Sequence, residues 1–348
     1  MASDLITNLA GLFTKDRYLE LTDIHLHASD VQNEQLFDTL RSAENTEWGR
    51  TYNFKSIVSY QDFRERLPIT TAATFKPTLQ RLRDGESNLC WPGLPKQLLS
   101  SFNDSTIPVS DQTLSETFTQ GAYDNYVLHL NNHPDSRLFG GFFVHLGNDG
   151  EAPFMDEFID FLRKNEPFVI SLLDRPKFTS LLTLSDNQLR QLIKELRTEK
   201  VSCFKGSPAG FSKLATLVKK EESQMPAFLA DAEVLFHRTT LTNKALLEQD
   251  KALNITIPVQ RTFCSPEGYI GIQDTLGDDS YLLAIDLSQF YEFIDEQYPE
   301  KAPIPLDSIE IGRPYRLVLT TCSGLWRYVS DGPRLQFTSR APYRFILV

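Results

Sequence analysis

The stretch Val259-Gln-Arg-Thr-Phe-Cys-Ser-Pro-Glu-Gly-Tyr-Ile-Gly-Ile-Gln-Asp274 decides how the rest of the chain is interpreted. Two runs rich in β-branched and aromatic residues flank the turn Ser265–Gly268, which has proline second and glycine last. This pattern predicts a β-hairpin. A glutamate in such a turn, Glu267, is expected to face solvent, where its carboxylate could also reach a metal ion.

The pattern of predicted secondary structure differs on the two sides of a boundary just before this hairpin. Residues 1–254 show mainly helical periodicity with short buried runs between the helices, whereas residues 255–348 contain closely spaced short strands separated by Gly, Pro and Asp turns. The first part predicts an α/β structure with mixed β-sheets flanked by helices, and the second an antiparallel, barrel-like part. We therefore expect two parts of one large domain, 1–254 and 255–348.

Helices are predicted where apolar residues recur every three or four positions, and some of them begin at a capping residue. The segment 186–198 follows a Ser185-x-x-Gln188 capping box, and the segment 61–66 follows Ser59. Other predicted helices are 32–43, 78–83, 155–164, 208–220 and 243–250. Buried strands are predicted at 138–147, 201–204 and 232–237.

Composition and charge exclude several functional classes. The chain has 348 residues, 41% of them hydrophobic, and a formal net charge of −11 without any Lys/Arg block. This balance argues against a nucleic-acid partner and against an anionic membrane surface. No run approaches the roughly 18 apolar residues of a membrane span, and the N-terminus lacks the layout of a signal peptide. The scattered cysteines predict reduced thiols and a cytoplasmic protein.

The segment Asp23-Ile-His25-Leu-His27 has the form of the amidohydrolase metal motif, in which a strand end presents two imidazoles to one ion. The residues after it have helical spacing, so two surface histidines before a helix are the favoured interpretation. A metal-dependent hydrolase built on His25 and His27 stays open as a third functional hypothesis.

Several motifs occur in a fixed order along the chain. They are Asn45-Thr-Glu-Trp-Gly-Arg50, Trp91-Pro-Gly93, Ile107-Pro-Val-Ser110, Glu267-Gly-Tyr-Ile-Gly-Ile-Gln-Asp274 and Gly324-Leu-Trp-Arg-Tyr328. In this order they resemble the auxin-responsive acyl acid–amido synthetases of the adenylate-forming, firefly-luciferase-like superfamily. The resemblance covers nearly the whole chain and implies the large N-terminal domain of these enzymes. It also implies that their small C-terminal domain is absent here.

The family joins a carboxylic acid to an amino acid through an acyl-adenylate, so the resemblance implies ATP, Mg²⁺ and a small carboxylic acid as ligands. The family's phosphate loop falls on Ser100, Ser101, Ser105 and Thr106. Here the loop is several residues short and lacks its glycine and lysine. Asp104 adds a negative charge where the triphosphate would lie, which should repel it.

A second motif of the family, Tyr-x-x-Ser-Glu-Gly, falls on the hairpin turn. Phe263 takes the place of the tyrosine and Pro266 that of the serine, whereas Glu267, the Mg²⁺ ligand of the family, is retained. Pro266 removes a hydroxyl group and a backbone amide donor from the motif.

The two remaining nucleotide motifs also depart from the family. In Trp-Arg-Tyr-x-x-Gly-Asp, Tyr328 is retained, but Asp331, which would bind the ribose, precedes its glycine instead of following it. The His-Gly-Gly turn that borders the adenine pocket becomes His237-Arg-Thr239. Side chains at these two positions would stand where the base stacks.

These departures favour a relative that no longer adenylates and that acts as a non-catalytic binding or partner protein. Such a protein is expected to hold no ATP or Mg²⁺ and to bind a small carboxylic acid or a protein partner. The alternative is an active ligase that uses Glu267 for Mg²⁺, Asp331 for the ribose and the four loop hydroxyls for phosphate. An open cleft at Glu267 would favour the ligase, and a cleft filled by Phe102 and Arg238 would favour the non-catalytic protein.

Overall fold

The computed structural model describes residues 2–147, 152–175, 185–221, 226–253, 257–275 and 277–348. Its helices are α1 (Ala2–Leu26), α2 (Ala28–Ala43), α3 (Glu47–Thr51), α4 (Tyr60–Arg66), α5 (Ala72–Arg83), α6 (Gln120–Asn132), α7 (Phe154–Lys164), α8 (Phe168–Ser171), α9 (Asp186–Leu196), α10 (Pro208–Glu221), α11 (Ala227–Ala230) and α12 (Asn243–Leu253). A π-helical stretch, Thr113–Thr119, leads into α6. None of the helices in the described ranges is both long enough and apolar enough to cross a membrane.

The strands alternate with these helices in the middle of the chain and follow one another at its end. They are β1 (Gln97–Ser100), β2 (Thr106–Val109), β3 (Phe142–Gly147), β4 (Asp174–Arg175), β5 (Val201–Gly206), β6 (Val234–Thr239), β7 (Val259–Ser265), β8 (Gly268–Ile272), β9 (Tyr281–Leu283), β10 (Gln289–Asp295), β11 (Ile304–Pro305), β12 (Pro314–Thr321), β13 (Tyr328–Val329), β14 (Leu335–Arg340) and β15 (Tyr343–Leu347).

The chain forms two compact units, and neither unit is continuous in sequence. Unit 1 comprises Met1–Leu21, Tyr123–Phe263 and Gly271–Tyr281; unit 2 comprises Thr22–Ala122, Cys264–Ile270 and Leu282–Val348. The expected division into 1–254 and 255–348 is based on the change from helical periodicity to closely spaced strands, and it stays a prediction.

Unit 1 is an α/β layer structure. Its strands β4, β3, β5, β6 and β7 lie side by side in that order and are all parallel. One face of these strands packs against α9 and α10, with Val144 and Leu146 of β3 in that cluster. The other face carries Phe143 and packs against Tyr126 of α6. Successive side chains of β3 therefore enter opposite clusters, as strand geometry requires.

Unit 2 combines helices with antiparallel strands. Strand β10 pairs with β11 and β12, β12 with β13 and β14, and β14 with β15, all antiparallel. Strands β1 and β2 form a separate antiparallel pair. Helices α2, α4 and α5 contribute buried apolar residues to one cluster with Phe290 of β10 and Trp326. The α/β class with mixed β-sheets flanked by helices is thus confirmed.

The histidine segment does not have the layout of a metal motif. Helix α1 continues to Leu26, so His25 lies on a helix and not at a strand end. His27 is exposed, but His25 is only partly so. Burial, and secondarily the charge of Arg344, lowers the pKa of His25 to about 4. No group of three His, Cys, Asp or Glu side chains in the described ranges has a metal-binding arrangement.

Candidate functional site

The hairpin turn places Glu267 inside the protein. Strand β7 ends at Ser265 and β8 begins at Gly268, as the sequence predicted. The expectation that Glu267 faces solvent is wrong, because this residue is only 3% exposed. Its side chain is enclosed by segments that lie far away in the sequence, which turn chemistry alone does not reveal.

Two serine hydroxyls hold the Glu267 carboxyl group. Ser101 donates to Oε1 at 3.3 Å, and Ser330 donates to Oε2. Burial raises the pKa of Glu267 to about 7; the two hydrogen bonds oppose this rise, and the negative charge of Asp331 adds to it. At neutral pH the group is therefore divided between its protonated and ionised forms.

The serine loop is a tight turn between β1 and β2. The Ser101 amide donates to the Ser105 carbonyl at 2.9 Å, and the Ser105 amide donates to the Phe102 carbonyl at 3.0 Å. Asn103 and Asp104 have φ angles of 51° and 54°, a left-handed conformation that these two residue types tolerate better than most. Two amides that a phosphate loop would present to a ligand thus close the turn itself.

The loop hydroxyls do not converge on one point. Ser101 and Ser105 are buried, whereas Ser100 is exposed. Thr106 lies opposite Ser100 in the β-ladder, and its hydroxyl accepts a hydrogen bond from Arg83 at 2.9 Å. Of the four hydroxyls predicted to hold phosphate, the structure brings only those of Ser101 and Ser105 to the Glu267 side of the turn.

Tyr328 and Asp331 lie at the same corner of unit 2. Tyr328 is 1% exposed. Burial raises its pKa, the Glu267 charge raises it further, and the nearby Ser105 hydroxyl has the opposite effect. Asp331 is exposed to solvent.

Sequence reasoning missed Ser330. This residue stands between two predicted site residues, Tyr328 and Asp331, and that position was the only available signal. Its hydroxyl also accepts a hydrogen bond from the Gly332 amide at 3.1 Å. Ser330 thus couples the Glu267 carboxyl group to the backbone that leads into β14.

The ring of Phe102 lies against Gly332. A Cβ atom on Gly332 would stand 2.9 Å from Cε2 and 3.0 Å from Cζ of this ring. Only a residue without a side chain allows such an approach. An aromatic group of the serine loop therefore covers the segment that carries Ser330.

Two other predicted nucleotide-site residues belong to unit 1. His237 is buried on β6, opposite Arg261 of β7 in the parallel register. Phe263 is buried on β7, opposite Thr239. Both residues are parts of adjacent buried strands.

The retained glycine of the turn has a packing role. A Cβ atom on Gly268 would stand 1.9 Å from Oε1 of Gln289, which is closer than atoms can approach. That oxygen accepts from the Tyr269 amide at 3.1 Å, and the Gln289 amide nitrogen donates to the Tyr269 carbonyl at 2.9 Å. The buried glutamine side chain thus supports β8 as a neighbouring strand would.

The retained Trp-Arg-Tyr motif is also a framework element. Trp326 donates to the Cys90 carbonyl at 3.0 Å. The buried guanidinium of Arg327 makes two hydrogen bonds of 2.8 Å to the Glu292 carboxylate and two more, also of 2.8 Å, to the Arg64 and Leu67 carbonyls. These contacts hold the segment that precedes Ser330.

Comparison with known proteins agrees with this architecture. Residues 17–146 match the GH3 family N-terminal domain, and residues 282–343 match the GH3 family central domain. The indole-3-acetic acid-amido synthetase GH3.2 of Arabidopsis thaliana is 19% identical in an alignment of 407 positions that spans 91% of this chain and 73% of that protein.

Solved structures show the same fold. The AtGH3.15 acyl acid amido synthetase in complex with 2,4-DB superposes with a TM-score of 0.73 at 17% identity, over 96% of this chain and 70% of that one. An open conformation of 2-hydroxyisobutyryl-CoA ligase gives a TM-score of 0.57 at 12% identity, over 91% of this chain and 67% of that one. These similarities agree in fold, and the two matched domains, which together cover more than half of the sequence, show that the chain belongs to the GH3 family.

Proposed function

We propose that this GH3-family chain is a non-catalytic binding protein, which binds a small carboxylic acid or a protein partner and does not form acyl-adenylates. The observation that carries the proposal is the state of Glu267. Its two carboxyl oxygens accept hydrogen bonds from Ser101 and Ser330, and burial holds its pKa near neutrality. Mg²⁺ prefers ionised carboxylates with room for several water ligands, so these residues fit the ion poorly.

The phosphate loop supports the same proposal. Its closing hydrogen bonds use the amides of Ser101 and Ser105, and Asp104 is exposed at its tip. Preorganised donors are usually the largest contribution to stabilising a developing charge, and loss of one typically reduces the rate by about 10²–10³. The amides of Ser101 and Ser105, which close the turn, are therefore not available for that stabilisation.

Two of the retained motif residues have structural roles, so their retention is no argument for retained activity. Gly268 makes room for Gln289, and Arg327 pairs with Glu292. Selection for a stable fold is sufficient to preserve both positions.

Titration calorimetry and thermal unfolding test the proposal. We expect no heat and no shift in melting temperature when Mg²⁺·ATP is added to the purified protein, with Mg²⁺ alone and ATP alone as controls. Binding in the micromolar range would overturn the proposal.

The ligand is tested separately with small carboxylic acids. Indole-3-acetic acid and 2,4-DB, compounds that appear in the names of similar proteins, are the first probes. We expect an acid to raise the melting temperature without ATP, because a ligand that binds only the folded state stabilises it by mass action. Acids that bind only when ATP is present would favour an enzyme.

The alternative function is an active ligase. It is favoured by the clustering of Ser101, Ser105, Glu267, Tyr328 and Asp331 at one corner of unit 2. This alternative predicts release of pyrophosphate when ATP and a suitable carboxylic acid are supplied together. If a broad panel of acids gives no release, the ligase function is excluded.

A further inference from the structure

We infer that Phe102 is a tethered aromatic plug, which fills a ring-sized binding site beside Ser330 and Glu267 and keeps other aromatic molecules out. The inference deepens the proposed function and rests on it, since a ligase would need this corner to be open. In this inference the site is occupied by the ring of Phe102, which is part of the chain itself.

The first support is the close approach of Phe102 to Gly332. The far edge of the ring lies where a side chain of residue 332 would begin. The Gly332 amide donates to the Ser330 hydroxyl, which in turn donates to Glu267. The ring therefore covers the start of a hydrogen-bonded chain that ends at the buried carboxyl group.

The second support is the direction in which the turn presents its side chains. Phe102 is half-buried, whereas the next two residues, Asn103 and Asp104, are exposed. Both have left-handed backbone conformations, and the hydrogen bond from the Ser105 amide to the Phe102 carbonyl closes the turn. This conformation reverses the chain directly after Phe102 and directs the polar tip to solvent.

The chemistry around the ring defines the ligand class. The Phe102 ring and the Ser330 hydroxyl both border Gly332, at 2.9 Å and 3.2 Å from the position of an added Cβ atom, and Ser330 donates to Glu267. Removal of the ring would leave a space of the size of a six-membered ring beside this hydroxyl. A planar aromatic molecule with one hydroxyl or amino group would match both features.

The principal experiment is the substitution Phe102→Ala, with phenol and adenosine as probes. We expect phenol to bind this variant at least tenfold more tightly than the unchanged protein, as measured by saturation-transfer NMR and calorimetry. Adenosine tests whether the opened site also admits a larger heteroaromatic base. Phe142→Ala, which removes an equally half-buried ring from unit 1, is the matched control and should bind neither probe.

A second variant tests the contact without deleting the ring. In Gly332→Ala the new methyl group meets the far end of the Phe102 side chain at 2.9 Å and the Ser330 hydroxyl at 3.2 Å, so the ring, which makes the closer contact, is expected to swing away while the fold is retained. We expect this variant to bind phenol more tightly than the unchanged protein does. The change in unfolding free energy caused by Gly332→Ala should also become smaller when Phe102 is already alanine.

The outcomes separate the two proposals. If neither Phe102→Ala nor Gly332→Ala gains binding of phenol or adenosine, the plug is refuted and the non-catalytic function stands. If the unchanged protein binds Mg²⁺·ATP, the proposed function fails whatever the variants bind.

Discussion

The buried carboxyl group of Glu267 has a large effect on the stability of the fold for a single residue. A charge that is moved from water into the interior loses hydration, and two serine hydroxyls replace only part of it. Because the hydrogen bonds do not fully replace the lost hydration, the pKa of Glu267 is raised. Because the unfolded chain exposes the same carboxyl group, the raised pKa makes stability depend on pH.

The first prediction concerns Glu267→Gln. The folded pKa of about 7 exceeds the ordinary value of 4.5, so the folded state binds the proton more tightly. The contribution of Glu267 to stability is therefore complete below pH 4.5 and is lost as pH rises to about 7. Since a tenfold difference in proton affinity is worth ~1.4 kcal/mol, we expect Glu267→Gln to be more stable than the unchanged protein at pH 8, by up to ~3 kcal/mol.

Urea unfolding at pH 5.5 and pH 8 measures this difference, and Asp104→Asn at the exposed tip of the same turn is the control. The stability advantage of Glu267→Gln should be ~1.4 kcal/mol at pH 5.5, one pH unit above the ordinary value of 4.5, and about twice as large at pH 8. An equal advantage at both pH values would show that the carboxyl group is not responsible.

At the scale of elements, long-range side-chain contacts hold the segments of the candidate site. Gln289 of β10 supports β8, and Glu292 of the same strand holds the turn that precedes β13. Tyr60 of α4 also donates to Glu292, at 2.9 Å. One strand thus fixes two of the segments that surround Glu267.

The second prediction concerns Gly268→Ala. The added methyl group would overlap Oε1 of Gln289, and that side chain cannot move without breaking its bonds to β8. We expect a loss of about 1–3 kcal/mol in unfolding free energy, the range for overpacked cores. Chemical denaturation measures it.

Gly140→Ala is the matched control, because the nearest atom to its new methyl group is the end of the Lys200 side chain at 3.5 Å. Gly140→Ala should lower the unfolding free energy much less than Gly268→Ala does. If Gly268→Ala also proves neutral, the explanation of this glycine by packing is wrong.

The third prediction concerns the ion pair between Arg327 and Glu292. Arg327→Met leaves the Glu292 carboxylate buried at 1% exposure without its cation. Removal of one partner from such a pair typically costs about 3–5 kcal/mol. We expect Arg327→Met to lower the unfolding free energy by that amount, and Arg327→Met with Glu292→Leu to be less destabilising than Arg327→Met alone. A double variant with a lower unfolding free energy than Arg327→Met would contradict this explanation.

At the scale of the whole molecule, the net charge of −11 sets the long-range electrostatics. A polyanion is repelled at distances beyond direct contact, and no basic run offsets this repulsion. The fourth prediction is therefore that fluorescence anisotropy of a labelled DNA duplex stays unchanged at protein concentrations of about 10 μM, where nonspecific binders are already detected. Binding that weakens as salt is added would contradict it.

Local rules predicted much of the fold, because their causes lie within a few residues. Helix α9 begins behind the Ser185–Gln188 capping box, and α4 begins with the Ser59 hydroxyl accepting from the Asp62 amide. Helix α1 was not predicted, since its apolar residues are distributed around the helix and form no clear stripe.

The candidate site was predicted less completely. Its residues were identified from the family resemblance, but the burial of Glu267 depends on Ser101 and Ser330, which lie 166 and 63 residues away in sequence. Nothing in the turn itself reports such partners. The retained glycine likewise gave no sign of Gln289, because a close approach between distant segments leaves no local pattern.

The discontinuous units have a consequence for synthesis on the ribosome. Every residue of unit 1 has been translated once Tyr281 is added, whereas unit 2 still lacks Leu282–Val348. A nascent chain can therefore complete the parallel strands of unit 1 before Leu282–Val348, which packs with Thr22–Ala122 in unit 2, has been translated. During that interval the apolar faces of α2, α4 and α5 lack the strands they cover in the finished protein, and these faces are where a chaperone would be needed.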